Sequence, residues 1–131
     1  MGSRLGVLLI GSAGAVASTV VAGVELMKKG APRLGMITET ELGQAVGAVP
    51  CEDLVFAGWD LRNVDLYDAA WGHGVLPKDQ LMTVEKELRA YKPWPGVTSD
   101  AFIPGDNGKN IVPASSFRDE LRIMREQVET W

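Results

Sequence analysis

The stretch Leu5-Gly6-Val7-Leu8-Leu9-Ile10-Gly11-Ser12-Ala13-Gly14-Ala15-Val16-Ala17 joins an uncharged apolar run to a glycine-bounded turn and then to a run of small residues. The run Leu5–Ile10, closed by glycine, has the pattern of a central strand buried on both faces of a parallel sheet. From Ala15 to Lys29 the chain reads as a helix. Its Ala17, Ser18, Ala22 and Gly23 would let it lie close to that strand, and Lys28 and Lys29 before Gly30 form a stop signal. Strand, tight turn and helix in this order predict an α/β fold, a parallel sheet with flanking helices.

The turn carries a chemical implication. The first amides of a helix lack intrachain partners and its dipole favours negative charge, so a dinucleotide pyrophosphate fits there if no Cβ holds it away. Gly11 and Gly14 allow that approach, and Ala17 stands where the third glycine of G-x-G-x-x-G usually does. A tight turn without a ligand is the competing reading. A dinucleotide site also needs a carboxylate to accept from both ribose hydroxyls. Two candidates are Glu39, about 25 residues after Gly14 and near the spacing of the usual fingerprint, and Asp60 in Gly58-Trp59-Asp60. For either, a capping or solvated carboxylate is the alternative.

Further along, Leu34–Thr38 is expected as a second strand and Leu54–Trp59 as a third, with residues 39–53 less legible between them. Val64–Trp71 reads as a short helix capped by Asn63. Pro77–Tyr91 reads as a longer helix with Leu81, Val84, Leu88 and Tyr91 in a stripe toward the sheet. Lys92–Pro113 holds four of the seven prolines and is expected as a long ordered loop. After Ser115-Ser116, a capping pair, Phe117, Leu121, Met124, Val128 and Trp131 fall on one helical face expected to be buried. Such a helix normally leads to another parallel strand, so the sheet is expected to be incomplete and the chain to be cut from a larger protein.

Composition limits the function classes. The chain is 46% hydrophobic and 23% charged with a formal net charge of −4, globular values with no basic face for nucleic acid. No stretch approaches about 20 uninterrupted apolar residues, so neither a membrane span nor an export signal is expected. The single cysteine, Cys51, cannot form an internal disulfide or a cysteine-cluster metal site, which suits the cytoplasm. It has no base nearby in sequence and reads as inert. His73, between Gly72 and Gly74, reads as a turn residue rather than a catalytic base. Gly105-Asp106-Asn107-Gly108-Lys109-Asn110 is either an anion cradle or a plain polar turn, and lacks the spacing of a calcium loop. Trp59, Trp71 and Trp94 read as packing aromatics.

Several blocks together resemble the NAD-binding region of inositol-3-phosphate synthases. They are Leu5–Gly11, Gly14, Ser18-Thr19, Asp53-Leu54-Val55-Phe56-Ala57-Gly58-Trp59-Asp60, Asn63-Val64-Asp65-Leu66-Tyr67-Asp68-Ala69-Ala70, Gly74-Val75-Leu76, Lys92-Pro93-Trp94-Pro95, Phe102-Ile103-Pro104 and the closing helix. The resemblance spans nearly the whole chain. It implies a Rossmann-like domain with an inserted catalytic domain, and conversion of glucose 6-phosphate to inositol 3-phosphate in inositol and phospholipid biosynthesis. In that reaction bound NAD oxidises C5, enolisation permits aldol closure between C1 and C6, and the reduced cofactor returns the hydride.

Residue by residue, the resemblance implies that Ala13, Gly14, Ala15 and Val16 wrap the pyrophosphate, with Gly11 and Ser12 of the same turn also expected to bind the cofactor, and that Asp60, rather than Glu39, meets the adenosine ribose. The loop departs from the family's G-x-G-G-N-N-G form: Ala13, Ala15, Val16 and Ala17 replace a glycine, both asparagines and the last glycine. Backbone amides remain available for phosphate, whereas asparagine side-chain contacts are lost. Ile103 and residues 105–110 fall where the family closes over the cofactor. The Leu-Trp-Thr-Ala-Asn strand, the catalytic lysines and the substrate-phosphate ligands of the family have no counterpart in residues 1–131. The chain is therefore expected to be an N-terminal NAD-binding domain without a catalytic or dimerisation domain and without catalytic or metal-binding residues of its own. Alone it is expected to be inactive; when complete, a homo-oligomer, tetrameric in the family. A non-catalytic module of a split enzyme and a semialdehyde-type NAD(P) dehydrogenase fragment are the alternatives, the latter requiring a reactive Cys51.

Overall fold

The computed structural model describes residues 4–99 and 110–131. The predicted α/β class holds. Strands β1 (Leu5–Ile10), β2 (Leu54–Asp60), β3 (Trp94–Thr98) and β4 (Ile111–Pro113) form a four-stranded parallel sheet in the order β1-β2-β3-β4. Helix α1 (Ala15–Lys28) follows β1, and α2 (Glu41–Ala45) precedes β2. Helices α3 (Leu66–His73), α4 (Lys78–Thr83) and α5 (Glu85–Ala90) lie between β2 and β3, and α6 (Phe117–Glu129) closes the chain.

The core sits between the sheet and the helices on one of its faces. Val21 and Ala22 of α1, Leu66, Tyr67 and Ala70 of α3, and Leu81, Val84 and Leu88 pack together, with Leu9 and Phe56 of the sheet against them. Small side chains bring α1 close: Ser18 and Ala22 have no exposed surface. Residues β1 and β2 pair from Leu5 with Leu54 to Ile10 with Trp59. At Gly58 a Cβ would lie 2.0 Å from the Leu9 carbonyl oxygen, so only glycine fits.

Several expectations are corrected. Leu34–Thr38 is not a strand: Gly35 takes φ +77°, which breaks an extended run, and Ile37–Glu39 forms a 3-10 turn. With no strand there, β1 is an edge strand among the described residues rather than a central one, and Leu5, Leu8 and Ile10 are exposed. The short helix starts at Leu66, capped by Asp65 and not by Asn63; the Asp65 carboxylate accepts from Asp68 N at 2.9 Å.

The Pro77–Tyr91 helix is two helices, parted at Val84 (φ −118°, ψ 15°). Thr83 and Val84 are both β-branched, and the Thr83 hydroxyl bonds back to the Gln80 carbonyl, which favours a break there. Their apolar stripe packs on α1 and α3 more than on the sheet, and Tyr91 is only partly buried. The segment Lys92–Pro113 is not a plain loop, since it contains β3 and β4. Strand β3 is stepped: Trp94 and Pro95 pair with β2, while Gly96 to Thr98 pair with β4. Pro95, which lacks an N–H, falls where one pairing ends and the other begins.

Helix α6 lies on the opposite face, capped by Ser116, whose hydroxyl accepts from Asp119 N at 3.3 Å. Its apolar stripe is not buried as expected. Phe117 is 70% and Leu121 53% exposed, whereas Met124 and Val128 are half-buried. The covered face is rotated from the apolar one, because Gln127 accepts from Trp59 Nε1 at 2.6 Å. Trp131 stacks edge-on against Trp94 with 6.0 Å between centroids and lies where a Gly6 side chain would otherwise be.

Candidate functional site: the glycine turn and the strand ends

The turn after β1 is built from backbone bonds that its small residues permit. Gly11 takes φ +76°, in the region glycine tolerates best. Gly11 N and Ser12 N both donate to the Trp59 carbonyl, at 2.8 and 3.0 Å, and Gly14 N donates to Gly11 O at 2.8 Å. Ala13 N donates to Asp60 Oδ2 at 2.9 Å. Four of the turn amides are thus used within the protein. Gly14 is the N-cap of α1 and offers no side chain to it, and the first helix bond is Ser18 N to Gly14 O. The amides of Ala15, Val16 and Ala17 therefore have no acceptor among the described residues and form the positive end of a helix of fourteen residues.

Asp60 ends β2 beside this turn and is 7% exposed. Its Oδ1 accepts from Arg62 N at 2.9 Å and Arg62 Nε at 3.2 Å. Burial alone would raise its pKa; the hydrogen bonds from Arg62 N and Ala13 N and the Arg62 guanidinium outweigh it and hold the carboxyl below its ordinary range. Oδ2, with one bond from Ala13, keeps a lone pair for a ligand hydroxyl. A cavity of about 480 Å³ adjoins it, lined mainly by apolar surface from Ile10, Trp59, Val97 and Met124. This is the crevice at the carboxyl ends of parallel strands, where α/β proteins bind ligands.

Glu39 is not there. Its carboxylate pairs with Arg33 Nη1 at 2.8 Å, and Arg33 also pairs with Glu52, just before β2 begins. Lys28 Nζ donates to the Leu54 carbonyl at 3.0 Å, joining the far end of α1 to the same region. Glu39 thus sits at the opposite end of the sheet from Asp60, about 20 Å of strand away. Cys51 is at that end too, buried, with its thiol pKa pushed up by burial and by Glu39. A thiol held protonated away from the glycine turn cannot serve the dehydrogenase alternative there.

His73 differs from its expected role as a plain turn residue: its Nε2 lies 2.9 Å from the Ala13 carbonyl oxygen. Asn110 also had no assigned role of its own. Its Nδ2 donates to the Asp60 carbonyl at 2.9 Å, and its backbone N donates to Leu61 O at 3.1 Å. Neither was legible, because each joins segments about 50 or more residues apart, and a lone histidine or asparagine between turn residues carries no partner signal. Residues 102–104 and 105–109, including Ile103 and Lys109, lie outside the described residues. Trp59 and Trp94 pack edge-on at 5.1 Å, and Trp71 packs on Tyr67 under Lys78.

A larger cavity, about 640 Å³, opens beside the end of α1 between Met27, Pro32, Leu76 and Gln80. It is remote from the turn, and its Lys29 is already committed to Glu87 and the Thr83 carbonyl. Among the described residues no cluster of His, Cys, Asp and Glu could hold a metal ion. No helix there is long and apolar enough to cross a membrane.

Known proteins share this fold. The chain is 32% identical to inositol-3-phosphate synthase 1 of Bacteroides thetaiotaomicron, over 95% of this chain and 32% of that protein. It is 31% identical to inositol-3-phosphate synthase isozyme 2 of Arabidopsis thaliana, over 80% of this chain and 26% of that protein. The fold matches the crystal structure of the Caenorhabditis elegans inositol-3-phosphate synthase with a TM-score of 0.84 at 20% identity, covering 98% of this chain and 32% of that one. The chain spans about a third or less of the length of these relatives. An NAD-binding family model described as myo-inositol-1-phosphate synthase matches residues 33–131, a span that contains Gly58-Trp59-Asp60 but begins after the glycine turn. Since that match takes in most of the sequence, the chain belongs to the myo-inositol-1-phosphate synthase family, as the resemblance of its β2 end implies.

Proposed function

We propose that the chain is the NAD-binding part of an inositol-3-phosphate synthase, which converts D-glucose 6-phosphate to 1D-myo-inositol 3-phosphate. The observation that carries this reading is the open N-terminus of α1, capped by Gly14 without a side chain and set beside Asp60. The residues fit a dinucleotide. Ala15 and Val16 would donate their amides to the pyrophosphate, while Gly11, Ser12, Ala13 and Gly14 form the turn that lets it approach. Asp60 would accept from the adenosine ribose, and the apolar cavity beside it suits a flat ring.

When bound, NAD supplies a hydride acceptor and donor for the oxidation and the later reduction of the sugar. The residues of this chain would bind and orient that group: the turn would hold the phosphates and Asp60 the ribose, with Trp59 and Met124 among the apolar lining of the cavity beside them. We assign enolisation, aldol closure and substrate-phosphate binding to residues outside 1–131, and place the domain as the N-terminal part of a cytoplasmic, homo-oligomeric enzyme. By itself it should bind NAD without turnover.

Titration calorimetry of the 131-residue chain with NAD tests the reading. Saturable binding that Asp60→Ala weakens is expected; no heat at millimolar NAD would reject it. Inositol phosphate formed from glucose 6-phosphate by the purified chain would overturn the assignment of catalysis to residues elsewhere.

A further inference from the structure

We infer that His73 is a positioning residue for the glycine turn, holding the Ala13–Gly14 peptide so that the open amides of α1 face the phosphate. The inference rests on the NAD reading of that turn. A carbonyl oxygen can only accept, so the 2.9 Å contact between His73 Nε2 and Ala13 O requires Nε2 to carry the proton. The same peptide unit is tied at its other end, where Gly14 N donates to Gly11 O at 2.8 Å. The preceding unit is held by Ala13 N on Asp60. Both peptide planes before α1 are thereby fixed by groups from the ends of β2 and α3.

The direction of the Ala13 carbonyl matters for an anion. A carbonyl left unpaired beside the helix start could turn its lone pairs toward a phosphate and repel it. Bonded to His73, it is committed away from the Ala15, Val16 and Ala17 amides. His73 can reach it because α3 ends at that point: Gly74 takes φ +65° and its N–H closes on Ala70 O at 3.2 Å, which stops the helix at the level of the turn. His73 is itself exposed, so its side chain contributes little to the core.

The test compares the wild-type chain with His73→Ala and His73→Gln, a glutamine amide nitrogen being able to replace Nε2–H. Amide exchange at Ala13 and Gly14, followed by NMR without ligand, should speed up about 5- to 10-fold in His73→Ala, as expected for one lost hydrogen bond, and return within about 3-fold of wild type in His73→Gln. NAD affinity should follow the same order, while adenosine, which lacks the pyrophosphate, should bind all three alike. Unchanged exchange at Gly14 in His73→Ala, or a glutamine variant no better than alanine, would overturn the inference. A wild-type chain that fails to bind NAD but shows the exchange response would reject the cofactor reading and support the clamp.

Discussion

Asp60 Oδ2 accepts the amide hydrogen of Ala13 at 2.9 Å, tying the end of β2 to the turn after β1 across 47 residues of chain. Ala13 is fully buried, so Asp60→Ala leaves a buried donor without a partner. The expected loss is about 1–3 kcal/mol, measured by urea unfolding, together with weaker NAD binding. A variant as stable as wild type would show that the turn does not depend on this carboxylate.

The lowered pKa of Asp60 makes part of the stability pH-dependent. A carboxyl whose folded pKa lies below its unfolded value, about 3.9 for aspartate, contributes stability that is fully present above the unfolded value. That contribution is lost as pH falls through the folded value. Unfolding free energies between pH 6 and pH 3 should decline with acidification, and less steeply in Asp60→Asn. Glu52, Glu87 and Asp119 are also lowered and keep a residual slope in the variant. Identical slopes in both proteins would contradict the shift at Asp60.

Gly58→Ala should disrupt the sheet. The added Cβ meets Leu9 O at 2.0 Å and Leu9 C and N at 2.8 and 2.9 Å, all backbone atoms that no rotamer change can move. A loss above about 3 kcal/mol is expected, the upper range for overpacking. Circular dichroism during a thermal melt reads it, and a wild-type melting temperature would refute the close approach of β1 and β2.

Glu39→Gln should leave NAD affinity within about two-fold of wild type, a change worth less than the weakest ordinary hydrogen bond. Glu39 pairs with Arg33 at the end of the sheet opposite the turn. Stability should drop by about 1 kcal/mol or less, as for a partly exposed ion pair. Calorimetry beside Asp60→Ala separates the two carboxylates, and a Glu39 variant that loses NAD while keeping its melting temperature would reverse their assignment.

Phe117 and Leu121 are exposed on α6. The double variant Phe117→Ser, Leu121→Gln should keep its melting temperature within about 2 °C, since mutations of exposed residues are usually within about 0.5 kcal/mol. It should also stay in solution at higher concentration, measured by static light scattering. A large fall in melting temperature would show that these side chains support the fold.

The strand–turn–helix unit at residues 5–28 was legible because its signals are local. Apolar continuity, glycine at the turn and small residues along one helix act within a few positions of one another. The end of β2 was legible for the same reason, and Gly58 proves to be required by contact with β1. Leu34–Thr38 misled because an apolar run does not say whether a neighbour exists to pair with it, and Gly35 turns it aside. Prolines hid β3 and β4, since a short stepped ladder tolerates a missing N–H that a long central strand would not.

By itself, the amino-acid order determined the α/β class and the glycine-bounded turn, which follow from residue type and spacing along one segment, and the family, which follows from short blocks spread along the chain. Residue type and spacing left Glu39 and Asp60 both open and the resemblance chose Asp60; only the tertiary structure decided that Asp60 bonds to that turn, that His73 meets its carbonyl, and that β1 is an edge strand among the described residues. Those relationships join groups from 47 to 60 residues apart or depend on which segments pair. Their energies come from burial and hydrogen-bond geometry, which exist only once the sheet has brought the strand ends together.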